Sequence, residues 1–198
     1  MTDEIKYATN YANDFRLLID RVGRTIDARY KRGETRYISR INNPYVDECY
    51  VANISGDKDN FTLIIKYDNV YVFSTDFYNQ TIGKIVPSIN ILTKHFLEQY
   101  RGRNNLYSTP TKDFLYNVIT SIGGSISTST DKFQRAAVMR NDCVAPITEN
   151  LRIINGKEMI VSVFITCLNV KDRKVTKILN IAKAVEDEVD KVFGDTSY

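Results

Sequence analysis

The sequence predicts an α+β protein: an early helix with a mixed or antiparallel β-sheet first, then a mainly helical C-terminal half. Three observations predict it. Apolar residues recur at helical spacing over residues 11–26. Short β-branched and aromatic runs punctuated by Gly, Asp and Asn fill residues 49–75. Helical periodicity then returns from Ser88 onward, and strands followed by helices indicate an α+β arrangement. At 198 residues the chain is long enough for one large domain, with the helix and sheet in residues 1–85 and the mainly helical part in residues 86–198.

The first helix, residues 11–26, sets Phe15, Leu18, Ile19, Val22 and Ile26 on one face. A basic, irregular stretch runs from there to Pro44. Residues 49–55 read as a strand, and Gly56-Asp57-Lys58-Asp59-Asn60 reads as a turn. Residues 61–66 and 70–75 read as a hairpin through Tyr67-Asp68-Asn69, because Asp and Asn tolerate the left-handed backbone of a tight turn. Ser88 is read as the cap of a helix carrying Ile89, Leu92, Phe96 and Tyr100. A polar break over residues 101–105 precedes a short helix starting near Thr109-Pro110. Gly123-Gly124 and the Ser/Thr run to Thr130 read as a loop. Residues 131–154 read as a long helix kinked at Pro146. Residues 159–170 read as one or two strands, and residues 174–193 as a final helix with Val175, Ile178, Leu179, Ala182, Val185, Val189 and Val192 on one face.

Composition narrows the chemistry. Three cysteines (Cys49, Cys143 and Cys167), none in CxxC spacing, argue against a disulfide framework or a zinc site. His95 is the sole histidine, which argues against a His-based triad and a multi-histidine metal site. Net charge is only +3, yet the signs are segregated. Arg29, Lys31, Arg32, Arg36 and Arg40 cluster early, Lys94, Arg101, Arg103 and Lys112 form a second group, and Lys132, Arg135 and Arg140 a third. Glu186, Asp187, Glu188, Asp190 and Asp195 lie near the end. A face left positive by such segregation attracts phosphate backbones, although scattered surface charge is the commoner reading. No secretory signal is legible, and no stretch is apolar enough to span a bilayer. The sequons at Asn53, Asn60 and Asn79 are explained by chance in an Asn-rich chain.

A family resemblance lies in the order of the parts. The early helix carries Phe15-Arg16 and Gly23-Arg24, and is followed by a strand and then by the segment 61–72. There Thr62, Leu63, Asn69, Tyr71 and Val72 match a hairpin of the form T-L-x-x-x-x-x-N-x-Y-V. This resembles the N-terminal part of plant (ricin A-chain-like) and Shiga-type ribosome-inactivating proteins over residues 5–78. Arg103-Asn104-Asn105-Leu106-Tyr107 is similar to the family's loop bearing a second tyrosine, with Tyr116 as the fallback. Thr148-Glu149-Asn150-Leu151-Arg152-Ile153 is similar to its Glu-x-x-Arg helix. The tryptophan that usually follows that helix in the family has no counterpart, since the chain contains none.

The resemblance implies an rRNA N-glycosylase that removes one adenine from the sarcin-ricin loop of large-subunit rRNA and so inhibits translation. Its chemistry fits these residue types. Tyr71 and Tyr107 would sandwich the extruded base. Arg152 would stabilise the departing adenine, and Glu149 would stabilise an oxocarbenium-like ribose and orient water. Arg29, Arg32 and Arg36 would contact RNA. The expected partner is the ribosome, with no DNA, no membrane segment, no metal and no cofactor. The expected setting is an exported toxin acting in the target-cell cytosol. Each residue also has a structural reading: Tyr71 as a strand aromatic, Glu149 and Arg152 as a helix-surface ion pair. Two further alternatives are a non-enzymatic RNA- or protein-binding module, working through the basic segments and surface tyrosines, and a structural protein that merely shares the strand-helix order.

Overall fold

A computed structural model of the protein describes residues 3–79, 84–127, 135–139 and 143–169. The described chain begins with α1 (Asp3–Lys31) and continues through β1 (Tyr37–Arg40), β2 (Cys49–Asn53), β3 (Thr62–Tyr67), β4 (Val70–Asn79) and β5 (Lys84–Leu92). Then come α2 (Lys94–Arg103), α3 (Thr111–Ser121), β6 (Ile122–Ser127), β7 (Arg135–Met139), β8 (Cys143–Ile154), β9 (Lys157–Phe164) and β10 (Leu168–Asn169).

The strands form one sheet in the order β1-β2-β3-β4-β5-β9-β8-β7-β6, with β10 paired to β8. Two antiparallel meanders, β1–β5 and β6–β9, meet at the parallel pair β5–β9. A parallel pair needs a crossover, and α2 and α3 lie within it. β10 continues the line of β9 after an irregular step. Ile147 faces Phe164 and Val144 faces Leu168, so one extra residue sits on the β9–β10 side.

Two apolar layers flank the sheet. On one face α1 buries Ala8, Tyr11, Leu18, Val22 and Ile26 against Val51, Leu63, Ile65, Val72, Ile89, Ile91 and Val161. On the other, α2 and α3 bury Phe96, Tyr100, Phe114, Leu115 and Val118 against Ile64, Phe73, Leu92, Ala145, Ile147 and Phe164. A strand's alternation explains how β3 serves both layers: Leu63 and Ile65 face α1 while Ile64 faces α2 and α3. Asp3 and Glu4 at the start of α1 and Arg29 and Lys31 at its end suit the helix dipole.

The expectation of a mainly helical C-terminal half is corrected. Among the described residues beyond 121, every regular element is a strand. Residues 135–139 and 143–154, expected inside a kinked helix, form β7 and β8, and Pro146 lies within β8. Ser88 lies in β5, and the helix that follows is capped by Thr93, whose hydroxyl accepts from the Phe96 N–H at 3.1 Å. Gly123-Gly124, expected in a loop, are in β6. The early helix, the strand after it and the 62–79 hairpin do form, with α1 longer at both ends than its periodicity indicates. The helix expected over residues 174–193 lies outside the described residues. No helix among the described residues is long and apolar enough to cross a membrane.

Candidate functional site

The ladder registers bring Glu48, Lys66 and Tyr71 side by side. The Lys66 N–H donates to the Glu48 carbonyl at 3.0 Å, extending the β2–β3 pairing by one residue. Lys66 then faces Tyr71 across the β3–β4 hairpin. All three side chains emerge on the α2–α3 face and converge. The Glu48 carboxylate accepts from the Tyr50 hydroxyl at 2.8 Å, the Tyr71 hydroxyl at 2.9 Å and the Lys66 ammonium at 3.1 Å. Its side chain is only 17% exposed. Burial alone would raise the carboxyl pKa, yet the three donors outweigh it and hold the group below its ordinary value. Glu48 is therefore ionised at neutral pH.

The neighbouring phenols shift the other way. Burial first, then the hydrogen bond to Glu48 and its charge, pushes Tyr71 up, and the same causes push Tyr50 up to about 12. Both remain protonated donors. The Lys66 ammonium sits 5.7 Å from the Tyr71 ring centroid, a cation–π distance. Arg101, at the end of α2, is close enough for its charge to act on the Tyr71 phenol. Its guanidinium lies 4.1 Å from the Phe114 ring centroid and donates to the Tyr107 carbonyl at 3.5 Å. The α2–α3 connection thus carries Tyr107 next to Arg101. Tyr107 is 72% exposed, and its hydroxyl lies over Gly102, where an added Cβ would be 2.7 Å away. A side chain at position 102 would turn that hydroxyl, the free end of an exposed side chain, aside.

The sequence-predicted residues fall in three places. Tyr71 is in the group just described, 8% exposed, and Tyr107 adjoins Arg101 and Gly102. Glu149 and Arg152 are in β8, a strand, where residues three apart point to opposite faces. Glu149 faces Ser162 and accepts from its hydroxyl at 3.3 Å on the α2–α3 side, whereas Arg152 faces Met159, which packs on the α1 layer. Glu149 shares a face with Tyr71 but is three strands away, about 14 Å at the usual interstrand spacing. The expected acid pair is therefore not assembled as a pair. Arg29 and Arg32 both pair with Glu34, and Arg36 lies against Gly56, past the end of β2 opposite Glu48. These arginines form no common surface with Tyr71. Tyr116, the fallback, is on α3.

Glu48, Lys66 and Arg101 are site residues that the sequence reading leaves out. Lys66 is findable, because a hairpin turning at Asp68-Asn69 places residues 66 and 71 opposite each other. Glu48 precedes its strand and follows no periodic pattern. No group of three His, Cys, Asp or Glu among the described residues is placed to hold a metal ion. Comparison of the chain with protein-family models, with curated proteins and with solved structures finds no match.

Proposed function

We propose that the chain is an RNA N-glycosylase that removes an adenine from large-subunit rRNA, with its site at the Glu48–Tyr71–Arg101–Tyr107 end of the sheet. One observation carries this reading. On the hairpin whose Thr62–Val72 order resembles the ribosome-inactivating family, a carboxylate is bonded to Tyr71, and Arg101, whose charge reaches the Tyr71 phenol, holds the Tyr107 backbone; these are the residue types that depurination requires. Tyr107 offers an exposed ring for stacking an extruded base. The ionised Glu48 carboxylate is suited to an oxocarbenium-like ribose, and Arg101 to the charge on the departing base. Tyr71 is buried under the Lys66 ammonium, so its part is to hold the Glu48 carboxylate in place, and stacking falls to Tyr107. Glu149 and Arg152 have no role in this site.

The test is aniline cleavage of rRNA from ribosomes incubated with the protein. Wild type is expected to yield one new fragment from the large rRNA, and Arg101→Gln to lose at least about tenfold in rate, typical of removing one group that stabilises transition-state charge. Arg152→Gln should match wild type. No fragment from folded wild-type protein on either eukaryotic or bacterial ribosomes overturns the reading. So does loss of activity in Arg152→Gln with Arg101→Gln unaffected.

A second reading is favoured by one specific feature. Tyr71 is buried and its hydroxyl is committed to Glu48, which is how a structural tyrosine is held. On that reading the chain binds RNA through Tyr107, Arg101 and Arg103 without cleaving it. Binding that weakens steeply with salt, with no depurination, would identify it.

A further inference from the structure

A cavity on the α2–α3 face lies apart from Glu48, Lys66, Tyr71 and Arg101. It encloses about 310 Å³ and lies beyond Phe73, on the side away from Tyr71. Its walls are Ile54, Phe73, Ile119 and Ile122, and its polar lining is Asn60, Thr62, Thr75, Asn90 and Thr120. No charged side chain is among these residues. The volume falls at the small end of ordinary small-molecule sites.

Asn90 is the informative residue. It sits mid-strand in β5, opposite Phe73 on one side and Ser162 on the other, and is 8% exposed. A primary amide has two donor hydrogens and a carbonyl acceptor. Asn90 spends one hydrogen on the Thr75 hydroxyl at 3.0 Å. Its second hydrogen and its carbonyl oxygen are left without a partner among the described residues. Accepting from Asn90 also leaves the Thr75 hydroxyl hydrogen free to donate. Thr120, by contrast, directs its hydroxyl at the Tyr116 and Asn117 carbonyls. Both groups of the amide face the open cavity, so whatever occupies it, water or a ligand, supplies the partners that the protein does not.

We propose that this cavity binds a small, uncharged, planar heterocycle with an adjacent donor and acceptor on one edge, the chemistry of a free nucleobase. Asn90 reads that edge with its paired N–H and C=O, as asparagine does with a base edge. The three isoleucines contact the ring, with Phe73 buried beneath them. Among the described residues no cation lines the cavity to pair with a phosphate or carboxylate, which disfavours anionic ligands, because an ion taken from water needs a partner there. The site is independent of the Tyr71 group, so it stands or falls separately from the N-glycosylase reading.

The experiment is isothermal titration of the full chain with uracil and with adenine, without ribosomes. Benzoate and adenosine monophosphate serve as charged controls. At least one base is expected to bind saturably, with the charged ligands at least tenfold weaker. Asn90→Leu should lose at least tenfold in affinity. Thr62→Leu, which narrows the cavity and leaves Asn90 intact, provides a second variant should Asn90→Leu fail to fold, and it should weaken binding as well. Absence of saturable binding of either base to wild type at millimolar concentration overturns the proposal, because the cavity then holds only water. Binding unaffected by Asn90→Leu or by Thr62→Leu overturns it too.

Discussion

Replacing Glu48 by Gln keeps the shape of the Tyr71 group and removes its charge. Three donors serve this carboxylate, from Tyr50, Tyr71 and Lys66 at 2.8, 2.9 and 3.1 Å. A hydrogen bond to a charged partner is worth about 1.5–3 kcal/mol, and a neutral one about 1 kcal/mol. Three such downgrades total about 3 kcal/mol. Lys66 is 35% exposed, and its share of the loss is screened by solvent, which brings the expected cost to about 2 kcal/mol at pH 7. That is about a 30-fold change in the folded-to-unfolded ratio, and a fall in Tm of about 4–8 °C for a chain of this size. Linkage supplies a second signature. The folded-state pKa of Glu48 lies below its ordinary value, so its stabilisation is complete above the ordinary glutamate range and is lost as pH falls through the depressed value. The gap between wild type and Glu48→Gln should therefore be widest at neutral pH and close in acid. Urea titrations followed by circular dichroism at pH 7 and at stepped lower pH measure both. Equal urea midpoints at pH 7 would refute the reasoning, as would a gap that persists once the carboxyl is protonated.

Three further predictions concern backbone and thiols. Gly156→Ala should destabilise the protein by about 1–2 kcal/mol, because Gly156 has φ +77° with open space around it, so the cost is left-handed strain without a clash. Gly23→Ala, mid-helix in α1 and equally open, should instead stabilise by about 0.5–1 kcal/mol. Parallel urea titrations test both signs. Cys49, Cys143 and Cys167 are all buried, and burial pushes the Cys49 thiol up to about 11. An aromatic disulfide reagent at mildly alkaline pH should release colour slowly from the native protein and report all the thiols promptly in concentrated guanidinium; a full and fast release under native conditions would contradict the packing described.

The first half of the fold is legible because its signals are local. The α1 face repeats at helical spacing, and the Thr62–Val72 hairpin alternates about an Asp-Asn turn. In the second half a local signal competes with helical periodicity and wins. Asn155-Gly156 is a two-residue hairpin sequence, and both residues have positive φ, as a type I′ turn requires. It ends β8 and starts β9, and so argues against a helix running to residue 154. The apolar content of residues 143–147 fits a buried strand as well as a helix, because these residues are covered on both faces and periodicity cannot separate the two. Thr93, rather than Ser88, caps α2, and its hydroxyl both accepts from the Phe96 N–H and donates to the Phe164 carbonyl. That second bond joins residues far apart in sequence, and no local reading supplies it.

The same distinction governs the site. A Glu-x-x-Arg spacing has chemical meaning only through the secondary structure that carries it. On a helix the two side chains share a face, while on β8 they are divided by the sheet. What brings a carboxylate to Tyr71 instead is ladder register. Lys66 and Tyr71 lie on successive strands and Glu48 just precedes a third, so their meeting depends on pairing that one sequence does not display. Arg101 arrives by a longer route, through β5 and the α2 crossover that returns the chain to β6. The tyrosine is therefore visible as a motif residue, whereas its acid and its guanidinium become identifiable only once the sheet is assembled. A Glu48→Asp substitution probes that dependence, since it keeps the charge but withdraws the carboxylate by one methylene. If register alone sets the group, the shortened carboxylate should lose the Tyr71 and Lys66 contacts together, and Glu48→Asp should destabilise nearly as much as Glu48→Gln in the same urea titrations. Wild-type stability in Glu48→Asp would mean that charge near the hairpin suffices and that the register-built geometry is not what holds Tyr71.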